Sequence, residues 1–182
     1  MNSKKYLCKL ISIFIVFLMV QPLKAQGLTD ERTGTQTWLK LGIGHSGAEN
    51  FRGVTGIVSA HYFSAYGVIG LRYIVSDRAG VDPGVPQVNR ITGMNEVSMN
   101  WGYSSNVSIL SLSASAGLGS LWWHEQVAGD QERLVVISVP LEAQILIKTG
   151  RFLGIGAMLS TSLNKKTTIT SGMLVLQIGN FK

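Results

Sequence analysis

Three histidines, His45, His61 and His124, are the side chains here best suited by type to move a proton near neutral pH. A histidine that activates a serine, with a carboxylate behind it, would cleave or transfer an acyl chain. Only His45-Ser46 with Glu49, and His124-Glu125, approach that grouping, and neither forms a recognisable motif. No two histidines stand at the spacing zinc requires. The pairs Gly42/Gly44 and Gly154/Gly156 resemble nucleotide-loop glycines, but no helix follows to receive a phosphate. The expectation is therefore a non-enzymatic protein with no catalytic, metal or cofactor-binding residues and no cofactor. His45 and His124 read as exposed connection residues and His61 as a polar residue turned inward.

The chain opens on Lys4, Lys5 and Lys9, then the apolar run Leu10 to Val20, then Ala25. That is a secretory signal; the run is short of the roughly 20 residues a spanning helix needs. Residues 1–25 are expected to leave by cleavage after Ala25, and residues 26–182 to form one domain. The single cysteine, Cys8, goes with the signal, which excludes disulfides and thiol-held metals from the mature chain. Four of the 16 basic residues (Lys4, Lys5, Lys9, Lys24) go too while all 10 acids stay, so the net charge falls from +6 to 12 − 10 = +2. No basic stripe remains, and nucleic acid is excluded as a partner.

The mature chain carries almost no helical periodicity and much period-two alternation. Eight strands are predicted, at 35–44, 54–63, 66–75, 91–103, 107–119, 133–148, 152–162 and 168–179. In the fifth, Leu110, Leu112, Ala114, Ala116 and Leu118 alternate with serine and glycine; the sixth sets Ile137, Val139, Leu141, Ala143, Ile145 and Ile147 against Ser138, Pro140, Glu142 and Gln144. Five strand-borne charges, Lys40, Arg72, Glu96, Glu142 and Lys148, all fall on the parity opposite the aliphatic run. One face is greasy and the other holds the charges, as a sheet with two different environments demands.

The predicted connections alternate strictly between long (45–53, 76–90, 120–132) and short (64–65, 104–106, 149–151), which places the long ones at one end and both termini at the other. Strands of this length cross a bilayer at a tilt, and an open edge in hydrocarbon would leave backbone groups unpaired at several kcal/mol each. The predicted fold is thus all-β: a closed eight-stranded antiparallel up-and-down transmembrane β-barrel in the bacterial outer membrane. Its lumen is just wide enough for side chains to fill, so no open pore is expected. Lys40, Arg72, Glu96 and Glu142 would then pair with one another inside. Tyr62, Trp101 and Tyr103 at the periplasmic end and Tyr73 and Trp122 at the outer end suit interfacial girdles. Pro140, which lacks a ladder donor, predicts a β-bulge.

With these strands placed, the whole chain resembles the OmpA/OmpX-type small outer-membrane β-barrels, and its second half resembles an uncharacterised family of them. Val139-Pro140-Leu141-Glu142-Ala143-Gln144, Arg151-Phe152-Leu153-Gly154-Ile155-Gly156 and Leu174-Val175-Leu176-Gln177-Ile178-Gly179 carry the likeness, specifically over 133–182. It implies an outer-membrane barrel without assigning a role. Such barrels often end on an aromatic residue; here Phe181 precedes the final Lys182.

The expected role is structural or surface-interacting, with outer-membrane lipid around the wall and an extracellular ligand or surface partner at the long loops. Trp122, Trp123 and His124, in the connection after strand five, are the candidate contact residues, together with Pro83-Gly84-Val85-Pro86. Two alternatives compete: a lipid-modifying outer-membrane acyl hydrolase or transferase, and a soluble lipocalin-like carrier with the greasy face turned inward.

Overall fold

The computed structural model describes residues 36–48, 51–64, 66–78, 90–127 and 130–179. The expected signal segment with its expected cleavage point, Glu49, the Pro83–Pro86 segment and the last three residues lie outside the described residues.

The alternation of aliphatic with small or polar side chains produces eight strands: β1 (Gln36–Ala48), β2 (Phe51–Ser64), β3 (Gly67–Arg78), β4 (Arg90–Val107), β5 (Leu110–Val127), β6 (Asp130–Lys148), β7 (Leu153–Asn164) and β8 (Thr168–Gly179). Each pairs antiparallel with its sequence neighbours, and β8 returns to β1 to close the barrel. Following the pairs from Thr37 through Tyr62, Ile69, Trp101, Ala116, Leu141, Thr161 and Thr170 leads back to β1 at Gly47, a shear of 47 − 37 = 10 residues. That stagger belongs with a strand tilt of roughly 35–45°.

Facing follows the predicted parity. Ile43, Leu71, Met99, Leu118, Ile137 and Leu174 stand exposed on the outer wall, while Lys40, Arg72, Glu96 and Glu142 are buried inside. The protein is therefore greasy outside and carries its buried charges within, the arrangement of transmembrane β-barrels. Inner-wall glycines give the lumen its fit: a side chain at Gly42 would run into Ile57, Val175 and the Leu174 carbonyl.

Two expectations are corrected. The segments 45–53 and 120–132, predicted as loops, are mostly strand: β1 continues to Ala48, β2 starts at Phe51, β5 continues to Val127 and β6 starts at Asp130. Their pairing runs on without a break, with His45 opposite Val54 and Trp122 opposite Val135. The outward aliphatic signature fades toward this end, but the hydrogen-bonded ladder continues past it. Of the three connections predicted long, only the one between β3 and β4 separates its strands by more than two residues. Second, Pro140 makes no bulge. The ladder to β5 lapses between the pairs Ala116–Leu141 and Gly119–Ser138 and resumes in the same register, because 116 + 141 = 119 + 138. On its other side Pro140 sits opposite Ser162 in regular pairing with β7. A proline whose missing N–H faces one neighbour needs only a local gap there. The register shift that does occur lies in β4, between Ile91 and Gly93.

Candidate functional site

The lumen is layered along the strands. In its middle, Arg72 on β3 is the hub: Nη2 donates to Glu96 Oε1 at 2.6 Å, Nη1 to Glu142 Oε1 at 2.7 Å and to Ser160 Oγ at 2.9 Å, and Nε to Ser98 Oγ at 2.9 Å. Lys40 on β1 donates from Nζ to Glu142 Oε2 at 3.2 Å and touches Met158 Sδ at 3.3 Å. Glu96 also accepts from Ser138 at 3.2 Å and from the Ser162 hydroxyl, and Glu142 from Ser115 at 3.3 Å. Two cations and two anions thus meet in a site where all four are at most 5% exposed, each carboxylate engaged at both oxygens. Burial on this scale is tolerable only with such pairing. Lys148, the fifth charge of that parity, is half-buried at the end of β6, remote along that strand from Glu142.

Toward the end of the barrel bearing the β1–β2 turn, the hydroxyls of Ser46, Thr55 and Ser76 interlock at 2.6–3.0 Å. Beyond them lies an apolar plug that includes Phe51, Ile91, Met94, Leu121, Trp123 and Ile169. Phe51 and Trp123 meet edge to face, 6.3 Å between centroids. Sequence reasoning missed this plug. Its members occupy inward positions at strand ends, and several lay in segments predicted as connections; the unbroken period of two through Leu121 and Trp123 was the available signal. At the opposite end His61 points inward, stacked on Trp38 at 5.5 Å and hydrogen-bonded to Ser59 at 2.9 Å. Gln144 donates to Gln177 at 3.1 Å beside a polar recess of about 30 Å³, room for a water or so.

The three predicted contact residues do not share one loop surface. All are in β5, and alternation divides them: Trp123 is fully buried in the plug, whereas Trp122 and His124 face outward, half-buried. Arg133 lies over the Trp122 ring, 5.5 Å from its centroid. The Tyr73 hydroxyl donates to Asn95 Oδ1 at 3.2 Å, and Asn95 Nδ2 lies 3.1 Å from His124 Nε2. Lys166 pairs with Glu125 at 2.7 Å. His45 also faces outward, on β1. Among the described residues no cluster of three or more metal-ligating side chains occurs, and His124 Nε2 meets Asn95 rather than a serine.

Closed barrel, outward aliphatic wall and charged packed lumen together define the fold of the small eight-stranded outer-membrane β-barrels of OmpA/OmpX type. Among solved structures the chain is similar to Neisserial surface protein A (TM-score 0.60, 10% identity, 81% of this chain and 97% of that one). It is likewise similar to the N-terminal barrel domain of Pseudomonas aeruginosa OprF (TM-score 0.57, 15% identity, 80% and 99%) and to Ail, the attachment invasion locus protein of Yersinia pestis (TM-score 0.56, 12% identity, 80% and 97%). No protein-family description and no curated protein matches the chain.

Proposed function

We propose that the mature protein is a non-enzymatic barrel of the bacterial outer membrane, exported by a signal cleaved after Ala25, with a closed lumen and a surface-interaction role at its outer rim. The observation that carries this reading is the division of the wall: aliphatic side chains outward, an ion-paired network and an apolar plug inward. A soluble carrier would need the aliphatic face inside around a ligand cavity, and these side chains point away from the lumen. For a role in contact, the rim supplies Trp122 under Arg133, with His124 and Asn95 beside them. Aromatic and arginine side chains of this kind are the usual anchors of recognition. Ail, one of the similar structures, has been solved with the heparin analogue sucrose octasulfate, which makes that compound a reasonable first probe.

The test has two arms. Outer-membrane fractions run boiled and unboiled should give a heat-dependent mobility shift; recovery in the soluble periplasm would overturn the address. Cells displaying the protein should bind labelled sucrose octasulfate or host-cell surfaces, and lose at least half of that binding on Trp122→Ala with Arg133→Ala. Binding unchanged in the double variant would remove the rim from the account. Unaltered lipid A profiles in His45→Ala, His61→Ala and His124→Ala cells are expected; a changed profile would favour the lipid-modifying alternative.

A further inference from the structure

A groove of about 660 Å³ crosses the outer wall over β1, β2, β3 and β8, lined by Leu41, Ile43, Gly56, Tyr73, Val75 and Leu174 among others. It exists because an outward position in β2 carries no side chain. Gly56 stands opposite Ile43 on β1 and Val75 on β3, and Ile43 in turn opposite Leu174 on β8, so aliphatic side chains flank the gap on both sides. Nothing within the chain requires glycine there. A Cβ at Gly56 would meet only Val75 Cγ1, at an ordinary 3.5 Å, and among the described residues the one glycine with positive φ is Gly67. Gly172 on β8, opposite His45, is equally unconstrained, with nothing within 4 Å of an added Cβ. The inward Gly42, by contrast, is walled in. Glycine weakens a strand, and in a strand interior it often marks close approach by a ligand.

The row structure above the groove says what kind of ligand. On β1, outward Ile43 is followed by outward His45; on β2, Gly56 is followed toward the same end by Val54 and then Arg52. His45, Arg52 and Thr170, all exposed, stand over the groove at the rim. Asp77, beside Val54 on β3, bounds this basic corner on its far side. An apolar trough that ends under an imidazole and a guanidinium suits an acyl chain below and an anionic head group above, and in a bilayer that head group is a phosphate.

We infer that this face is a specific site for a phosphate-bearing lipid of the leaflet at the β1–β2 end, with one acyl chain lying over Gly56 and the phosphate held by Arg52 and His45. The inference rests on the membrane seat of the barrel but not on Trp122 and Arg133, which do not line the groove; the two regions adjoin where Tyr73 meets Asn95.

Native mass spectrometry of the mature protein in detergent tests it, with dimyristoyl phosphatidic acid and dimyristoylglycerol as probes sharing the same chains. Wild type should retain one phosphatidic acid per barrel, at least fivefold more readily than the diacylglycerol. Gly56→Leu and Gly56→Trp should lower retention of both probes at least fivefold. Arg52→Ala with His45→Ala should reduce phosphatidic acid to the level of diacylglycerol. The heat-dependent gel shift verifies folding of each variant, and Gly56→Leu keeps the test sound should the tryptophan prove too large. Equal retention of the two probes by wild type, or full retention by both Gly56 variants, would overturn the site. A lipid-free dimer that Gly56→Trp dissociates would hand the groove to a second copy of the chain. Trp122→Ala with Arg133→Ala should leave lipid retention unchanged, so loss of cell-surface binding and loss of this site are read independently.

Discussion

Arg72 and Glu142 meet at 2.7 Å across the lumen although their strands, β3 and β6, are not neighbours in the wall. Only closure of the sheet brings them together. The same guanidinium holds Glu96, whereas Glu142 has a second cation in Lys40. The two cations are therefore unequal: among the described residues, loss of Arg72 strips Glu96 of its one ion pair, and loss of Lys40 leaves Glu142 still paired.

Arg72→Met is accordingly expected to destabilise the barrel by about 3–5 kcal/mol, the range for breaking a buried pair, and Lys40→Met by clearly less. Urea unfolding read by the heat-modifiable gel band measures both. Equal losses would contradict the hub arrangement.

Asn100 is 2% exposed inside the lumen, and neither polar atom of its amide has a hydrogen-bond partner in the protein. A buried unsatisfied polar group costs about 1–3 kcal/mol. Asn100→Leu, alike in branching though larger, should raise the urea midpoint; a fall would mean that the amide is satisfied in the folded protein or that the larger side chain overpacks the lumen.

Neighbouring tryptophans should behave oppositely. Trp123→Ala empties part of the apolar plug and should cost about 3–5 kcal/mol. Trp122→Ala loses chiefly the Arg133 stack, about 0.5–1 kcal/mol. The same urea series decides, and similar costs would show that the inward-outward assignment at β5 is wrong.

Glycines on the two faces of adjacent strands give a matching contrast. A Cβ at Gly44 would drive into the backbone of Gly172 and Met173, while one at Gly172 meets nothing within 4 Å. Gly44→Val should cost about 1–3 kcal/mol by overpacking and thin the folded band in vitro. Gly172→Val should fold as wild type does.

The sequence by itself determined the strand count, the antiparallel order and the facing, because a period of two is a local property and a wall between lipid and a packed lumen must honour it at every residue. The inward parity of Lys40, Arg72, Glu96 and Glu142 was legible for that reason, as was the outward run through Leu39, Leu41 and Ile43. What it misjudged were the outer ends. Beyond the hydrocarbon, outward residues such as His45, Trp122 and Arg133 no longer need to be aliphatic, so the pattern faded before the strands did. Tertiary structure alone decided which charge meets which, since a shear of 10 residues brings Arg72 beside Glu142 from strands separated by two others. It alone made the plug from Phe51 and Trp123 and turned Gly56 into a groove. Each of these depends on how far each strand slides along the next when the sheet closes, a quantity set by all eight pairings at once.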